Sequence, residues 1–287
     1  MNHPPTPTLD AVVKNAARLP SAPWLLPKLM AQLADPDSAA DQVESLIRMD
    51  AGLAVSTLRM ANSAYFHNAT PCDTLQEAVV RLGFREIYRL ATTTMASAWL
   101  SSEVDGYGWR PGDLYRHSLT VAVAGDLLAR HTERCEPEVA YTGGLLHDVG
   151  KLALAFTCSS HFERIRAYQR EQQCPWRAAE HAVLGYDHTD ISGELLRTWD
   201  FPASLIEVVR HYPRPRLSAE ARRDLVIHIH AAKHLALCLG TGVGEEGFQS
   251  ELDESALHDG GIGPELAETL LPEVHELTER LLATKPR

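Results

Sequence analysis

Apolar residues recur at helical spacing along almost the whole chain, and nowhere does strict apolar-polar alternation persist long enough for a convincing strand. A stripe of that period is buried by packing helix against helix, so the expected fold class is all-α. The chain has 287 residues, 45% of them hydrophobic and 23% charged. Such a composition is ordinary for a globular protein and excludes collagen-like, disordered and disulfide-scaffold readings.

Charge and cysteine narrow the function classes. Lys+Arg total 27 against Asp+Glu 38, a net charge of -11, the wrong sign for gripping a phosphate backbone, so nucleic acid is not the expected partner. Cys72, Cys135, Cys158, Cys174 and Cys238 are odd in number, scattered and without a CxxC pair, which reads as reduced thiols. The first residues lack a basic and an apolar signal region, and no uncharged apolar run approaches the ~18 residues of a spanning helix. A cytoplasmic protein with no membrane partner is expected.

Along the chain, Asp41 to Ala61 reads as two helical segments parted near Met49-Asp50-Ala51-Gly52, with Asp50 as a cap. Thr74-Leu-Gln-Glu77 is a capping box opening a short helix, with Gly83 as its C-cap. Glu103 to Gly112, rich in glycine and acid, marks a lobe boundary. Beyond it helices are expected at about 113–131, 138–155, 163–172, 176–184, 189–198, 202–211 and 219–239. Residues 241–263 read as an acidic loop and Pro264 to Leu282 as a closing amphipathic helix. Trp24, Trp99, Trp109, Trp176 and Trp199 read as core or interface anchors.

The compositional oddity is histidine, with 14 residues. His117 shares a helix face with Leu114, Val121 and Leu128 and should point inward. Thirty residues later, His147-Asp148 lies in an apolar stretch between Gly143-Gly144 and Gly150. An imidazole beside a carboxylate is costly to bury unless each finds a partner, and a divalent metal would satisfy both. The glycines suggest close packing or close ligand approach. His188 falls at a helix start and His211 just before Pro213 at a helix end, where both can face a shared cleft. The mixed N/O set of His117, His147, Asp148, His188 and His211 suits Fe, Mn, Zn or Ni better than Ca or Mg.

In these residues the chain resembles the HDOD domain family, a divergent branch of the HD-domain phosphohydrolases related to the HD-GYP phosphodiesterases. The resemblance runs from about Leu19 to Leu282 and rests on several motifs in order. These are Leu19-Pro-Ser-Ala-Pro23, Asp35-Pro-Asp37, Asp50 with Leu53, Leu58-Arg-Met-Ala-Asn62-Ser63, and Ala78-Val-Val-Arg-Leu-Gly83. Later come Leu146-His147-Asp148-Val-Gly-Lys151, Glu180 with Gly185 and His188, and Trp199-Asp-Phe-Pro202 ahead of His211. It implies an N-terminal tail over 1–18, an HDOD domain over 19–240 with lobes at about 19–104 and 112–240, and a loop and helix over 241–287.

The resemblance also implies the ligand roles: His117 as the first histidine, His147-Asp148 as the dyad, His188 and His211 as the further histidines of two-metal enzymes. The closing aspartate of the family falls at Lys233, and a charged lysine has three donors and no acceptor. His230, near one full turn away, is the better placed neighbour to compensate. The Gly-Tyr-Pro segment of the HD-GYP enzymes is missing. Either no metal, or one divalent transition metal on a subset such as Asp148, His188 and His211, is therefore expected. The favoured function is a non-catalytic bacterial signalling module that binds signalling proteins or a nucleotide. The alternative is a residual metal-dependent phosphohydrolase acting on a nucleotide or cyclic dinucleotide, with Asp148 at the metal and Lys151 or Lys233 on phosphate.

Overall fold

A computed structural model describes residues 5–16, 25–63, 66, 71–101, 104, 106–242, 244–246 and 252–283. Among these, every regular element is a helix and no strand occurs. Trp24 and the Leu19-Pro-Ser-Ala-Pro23 motif lie outside the described residues. The chain forms two compact units, one of Pro20–Trp99 and one assembled from Met1–Leu19 and Leu100–Arg287.

The Pro20–Trp99 unit contains α2 (Leu25–Ala34), α3 (Ala40–Ile47), α4 (Ala51–Ala61) and most of α5 (Leu75–Leu100). The break expected between α3 and α4 is present, and Asp50 caps α4 by accepting from the Leu53 amide at 2.8 Å. Asn62 ends α4 and clamps the returning chain, its amide donating to the Cys72 carbonyl and its oxygen accepting from the Cys72 amide. At the start of α5, Thr74 accepts from the Glu77 amide, but the Glu77 carboxylate reaches the amide of Asp73, one residue before the cap. Gly83 ends the short helix as expected: with φ 75° and ψ 162° it is not helical, and a second helix begins on its far side, so that α5 is two helices joined at this residue.

The larger unit is built on α6 (Asp113–Thr132), buried over most of its length. Around it pack α7 (Pro137–Leu146), α13 (Arg223–Cys238) and α15 (Pro264–Ala283). A second layer holds α8 (Val149–Cys158), α9 (Phe162–Gln172), α10 (Trp176–Leu184), α11 (His188–Thr198) and α12 (Ala203–His211). Trp99, Trp109, Trp176 and Trp199 are all buried, as anchors should be.

Three expectations change here. The N-terminal residues expected as a tail include α1 (Leu9–Ala16), which buries Val12, Val13 and Ala16 and packs on α8 and α11. Within the acidic stretch expected as loop, α14 (Glu254–Asp259) forms under an Asp253 cap. The helix expected over 138–155 is broken at His147-Asp148, between α7 and α8. The break follows from packing: Gly144 lies against the backbone of α6, where a Cβ would sit 2.7 Å from Ala122 Cα. Gly150 lies against the His188 carbonyl and donates its amide to Ser192 Oγ at 2.9 Å. An amide held by an outside hydroxyl does not extend the ladder of α7, and the kink carries His147 and Asp148 inward together.

Candidate functional site

The helix break delivers a fully buried Asp148 to the middle of the larger unit. One of its oxygens, Oδ2, lies 2.6 Å from Lys151 Nζ, 3.1 Å from His147 Nε2 and 3.7 Å from His117 Nε2. The other, Oδ1, accepts from the Tyr212 hydroxyl at 2.7 Å and lies 3.6 Å from His188 Nε2. Burial alone would raise this carboxyl, but the cations Lys151 and Lys233 outweigh it and hold it well below the usual range.

Hydrogen bonds fix the proton positions of the histidines. His147 Nδ1 faces the Gly144 carbonyl at 2.7 Å and must donate to it, leaving the lone pair of the neutral ring on Nε2. His117 Nδ1 faces Thr241 Oγ1 at 3.3 Å, and that hydroxyl already donates to the Ala236 carbonyl, so His117 also turns a lone pair inward. Neither Nε2 has a hydrogen-bond partner. Burial is the largest influence keeping both rings neutral.

His188 has the opposite character. Its Nδ1 lies 2.7 Å from Glu180 Oε2 and its Nε2 lies 3.1 Å from the Tyr212 hydroxyl, which spends its proton on Asp148. Both nitrogens therefore donate, which makes an imidazolium. Burial opposes that charge, but Glu180 overcomes it and raises His188 above its ordinary value. Glu180 is itself held by the Tyr107 hydroxyl at 2.6 Å and the His188 amide at 3.0 Å.

The histidine-aspartate set thus divides. The structure brings His117, His147 and Asp148 together, with one ligand atom from each mutually within 4.8 Å. Two imidazole lone pairs and a carboxylate oxygen converging in a buried space fit one transition-metal ion. They do not fit two. His188 is a cation with both nitrogens engaged, and His211 does not enter the cluster. His211 is partly exposed and lies 3.9 Å from Glu207. Tyr212, the next residue and about 100° further around, points inward in its place.

Lys233 reaches the centre, its Nζ donating to the Tyr212 hydroxyl at 3.3 Å and lying 4.0 Å from Glu246 Oε2. His230 does not compensate for it. Its Nδ1 donates to the Tyr212 carbonyl at 2.8 Å and its Nε2 accepts from the Asp253 amide at 3.0 Å. Lys151 pairs with Asp148 and with Glu246, under the rings of Trp109 and Tyr107. Asp148, Glu180 and Glu246 are therefore matched by Lys151, Lys233 and the His188 imidazolium, so the centre is charge-balanced by the chain itself. Tyr212, Glu180 and Glu246 were not among the sequence-based site residues. A second group, His181, Asp187 and Asp190, is explained by capping: Asp187 accepts from the Thr189 and Asp190 amides at the start of α11 and pairs with Arg177.

Acid is expected to destabilise the protein. His230 is driven down to about 4, chiefly by burial and next by His234, and burial also lowers His228. A base with a lowered folded pKa contributes stability that is present above its unfolded value and is lost as pH falls toward the folded one. For His230 that window runs from about 6.5 down to 4, and its full loss is of order 3 kcal/mol. His188, raised chiefly by Glu180 against its burial, has the opposite sign and opposes the loss. Denaturant titrations on either side of this window should show lower stability in acid, with a shallower fall for His230→Gln. A rise in acid would show that His188 dominates.

An all-helical chain with a buried His-Asp pair at a helix break belongs to a recognisable class. The model of the HDOD domain matches residues 19–215, and this chain belongs to the HDOD family. A solved HDOD domain protein of unknown function from Geobacter sulfurreducens superposes with TM-score 0.70 at 20% identity, covering 95% of this chain and 97% of that one. A candidate phosphohydrolase from Shewanella amazonensis SB2B superposes with TM-score 0.68 at 24% identity, covering 93% and 96%. A candidate signal transduction protein from Marinobacter aquaeolei VT8 superposes with TM-score 0.73 at 20% identity, covering 96% and 63%. At these identities the likeness is one of fold. The chain is also 25% identical over 203 residues to an uncharacterized protein of Treponema pallidum (strain Nichols), covering 70% of this chain and 39% of that relative. Among the described residues no helix is long and apolar enough to cross a membrane.

Proposed function

We propose that this chain is a regulatory signal-transduction module that binds signalling proteins or a nucleotide and does not turn over a phosphoester. The observation that carries this reading is the saturation of Asp148. A working HD-type centre needs that carboxylate free for a metal that lowers the pKa of water. Here Lys151 sits on the same oxygen that would meet the metal, Tyr212 takes the other, and Lys233 adds a further cation. A divalent ion entering beside these ammonium groups is opposed electrostatically. The candidate signal transduction protein of the same fold is in keeping with this assignment.

The test is metal analysis of wild type beside Lys233→Asp, with a phosphodiesterase assay on both. Wild type is expected to hold no stoichiometric metal and to show no turnover, and metal should be gained only in the variant. Robust wild-type turnover abolished by Asp148→Ala would overturn the reading. One observation favours the residual phosphohydrolase as a second reading: the unpartnered Nε2 atoms of His117 and His147 facing Asp148. In that case His117, His147 and Asp148 would hold a single Fe, Mn, Ni or Zn ion, with Lys151 left to hold phosphate. Metal-replete protein free of transition metal would count against it.

A further inference from the structure

The two buried lysines of the centre are not equivalent. Lys151 has no exposed surface and pairs closely with two carboxylates, Asp148 at 2.6 Å and Glu246. Burial opposes its charge, but Asp148 and Glu246 overcome it and raise the ammonium above its ordinary value. Lys233 is held more loosely. Its Nζ donates to a neutral hydroxyl, that of Tyr212, at 3.3 Å, reaches the nearest carboxylate, Glu246, only at 4.0 Å, and its side chain keeps 11% exposure. Burial lowers this ammonium below its ordinary value. An amine without a close counter-ion, in contact with solvent at its tip, is the more nucleophilic of the two.

Tyr212 ties that amine to the centre. Its hydroxyl accepts from Lys233 and donates to Asp148 Oδ1 at 2.7 Å, so a single oxygen stands between the amine and the carboxylate. Its ring lies at 85° to the ring of His147, whose Nε2, like that of His117, is buried without a hydrogen-bond partner. Two buried lone pairs beside a carboxylate suit a metal cation, and the matched charge of the centre opposes one. Carbon dioxide reverses that balance. The nitrogen lone pair of the neutral amine forms an N–C bond to its carbon, one C=O electron pair moves onto oxygen, and the N–H proton leaves to water. An ammonium thus becomes a carbamate with two protons released overall. The carbamate oxygens lie about 2.3 Å beyond the nitrogen. Glu246 keeps Lys151 as its cation, and the centre gains two negative charges, the charge that one divalent ion neutralises.

We propose that Lys233 is a modification site for carbon dioxide, and that its carbamate joins His117, His147 and Asp148 as an oxygen ligand, so that a divalent transition metal binds only when this lysine is carboxylated. The inference rests on the regulatory reading above, which describes the unmodified chain, and adds the small molecule that regulates the centre. Without carbon dioxide the lysine remains a cation and excludes the metal.

Zinc chloride and isotopically labelled bicarbonate test this on the full chain, in buffer otherwise free of carbon dioxide. With both present, wild type is expected to bind stoichiometric zinc and to show one carbamate carbon in its NMR spectrum; with either alone it shows neither, and a chelator removes both. Lys233→Met is expected to show neither under any of these conditions. Alkylation of the carbamate to a stable ester, followed by peptide mapping, should place it on Lys233 in wild type, a readout that needs no variant to fold. Absence of the carbamate carbon, its survival in Lys233→Met, an ester mapped to another lysine, or equal zinc uptake with and without bicarbonate overturns the proposal. Turnover of a phosphodiester by the zinc- and bicarbonate-loaded protein would overturn the non-catalytic reading alone and leave the modification standing.

Discussion

Replacing Asp148 with alanine is expected to lower the free energy of unfolding by about 3–5 kcal/mol, the cost of breaking a buried ion pair from one side. The pair consists of Asp148 and Lys151, both without exposed surface, 2.6 Å apart. Removing the carboxylate leaves Lys151 and Lys233 sharing Glu246, strips the Tyr212 hydroxyl of its acceptor, and turns two imidazole lone pairs toward an empty space. Denaturant unfolding would show the loss as a lower midpoint at unchanged slope. Asp148→Ala/Lys151→Met should recover a large part of it, because an apolar pair of similar volume replaces a buried ionic one at little cost. A loss below about 1 kcal/mol in the single variant would mean that water reaches Lys151 freely, and the closed, charge-balanced centre would then be wrong.

Gly144→Ala is expected to be almost as damaging, although it adds only one methyl group to a helix. Alanine improves helix propensity by about 1 kcal/mol over glycine, so a solvent-facing site would be stabilised. Here the new Cβ would sit 2.7–2.8 Å from Ala122 Cα, Ala122 N and Val121 C, all backbone atoms of α6 that cannot rotate away. The helices must separate, and overpacking of this kind costs about 1–3 kcal/mol, occasionally more. The Gly144 carbonyl also accepts from His147 Nδ1, so the displacement is carried to the centre. Chemical denaturation should show a net loss of about 2 kcal/mol or more. A variant as stable as wild type would show that α6 and α7 do not pack this closely.

Most helices were legible because their apolar residues repeat at the period of the fold, and His117 was legible for the same reason: it lies on the buried stripe of α6. The His147-Asp148 pair was legible from its flanking glycines, which the structure explains by close packing against α6 and α11 rather than by ligand approach. His211 shows where periodicity fails. Near a helix end the facing of a side chain turns on a single residue, and Tyr212 takes the inward position. His188 was legible as a histidine at a helix start facing a shared centre but not as an imidazolium, because its charge depends on Glu180 and Tyr212 through contacts across the fold. Glu246 was invisible. It lies in an acid-rich stretch without periodicity, and nothing local distinguishes it from the solvated acids around it.

The division of the chain also sets the order in which its parts can fold during synthesis. Pro20–Trp99 is one uninterrupted stretch, whereas the larger unit needs both Met1–Leu19 and the chain beyond Leu100. The partners of α1 begin at Val149 and His188, which a ribosome adding about 5–20 residues per second delivers on the order of ten seconds after α1 itself. Until then Val12, Val13 and Ala16 have no surface to cover them. α1 is thus made well before the helices that cover it, and once they are present the Tyr186 hydroxyl donates to the Pro7 carbonyl at 2.7 Å just ahead of it.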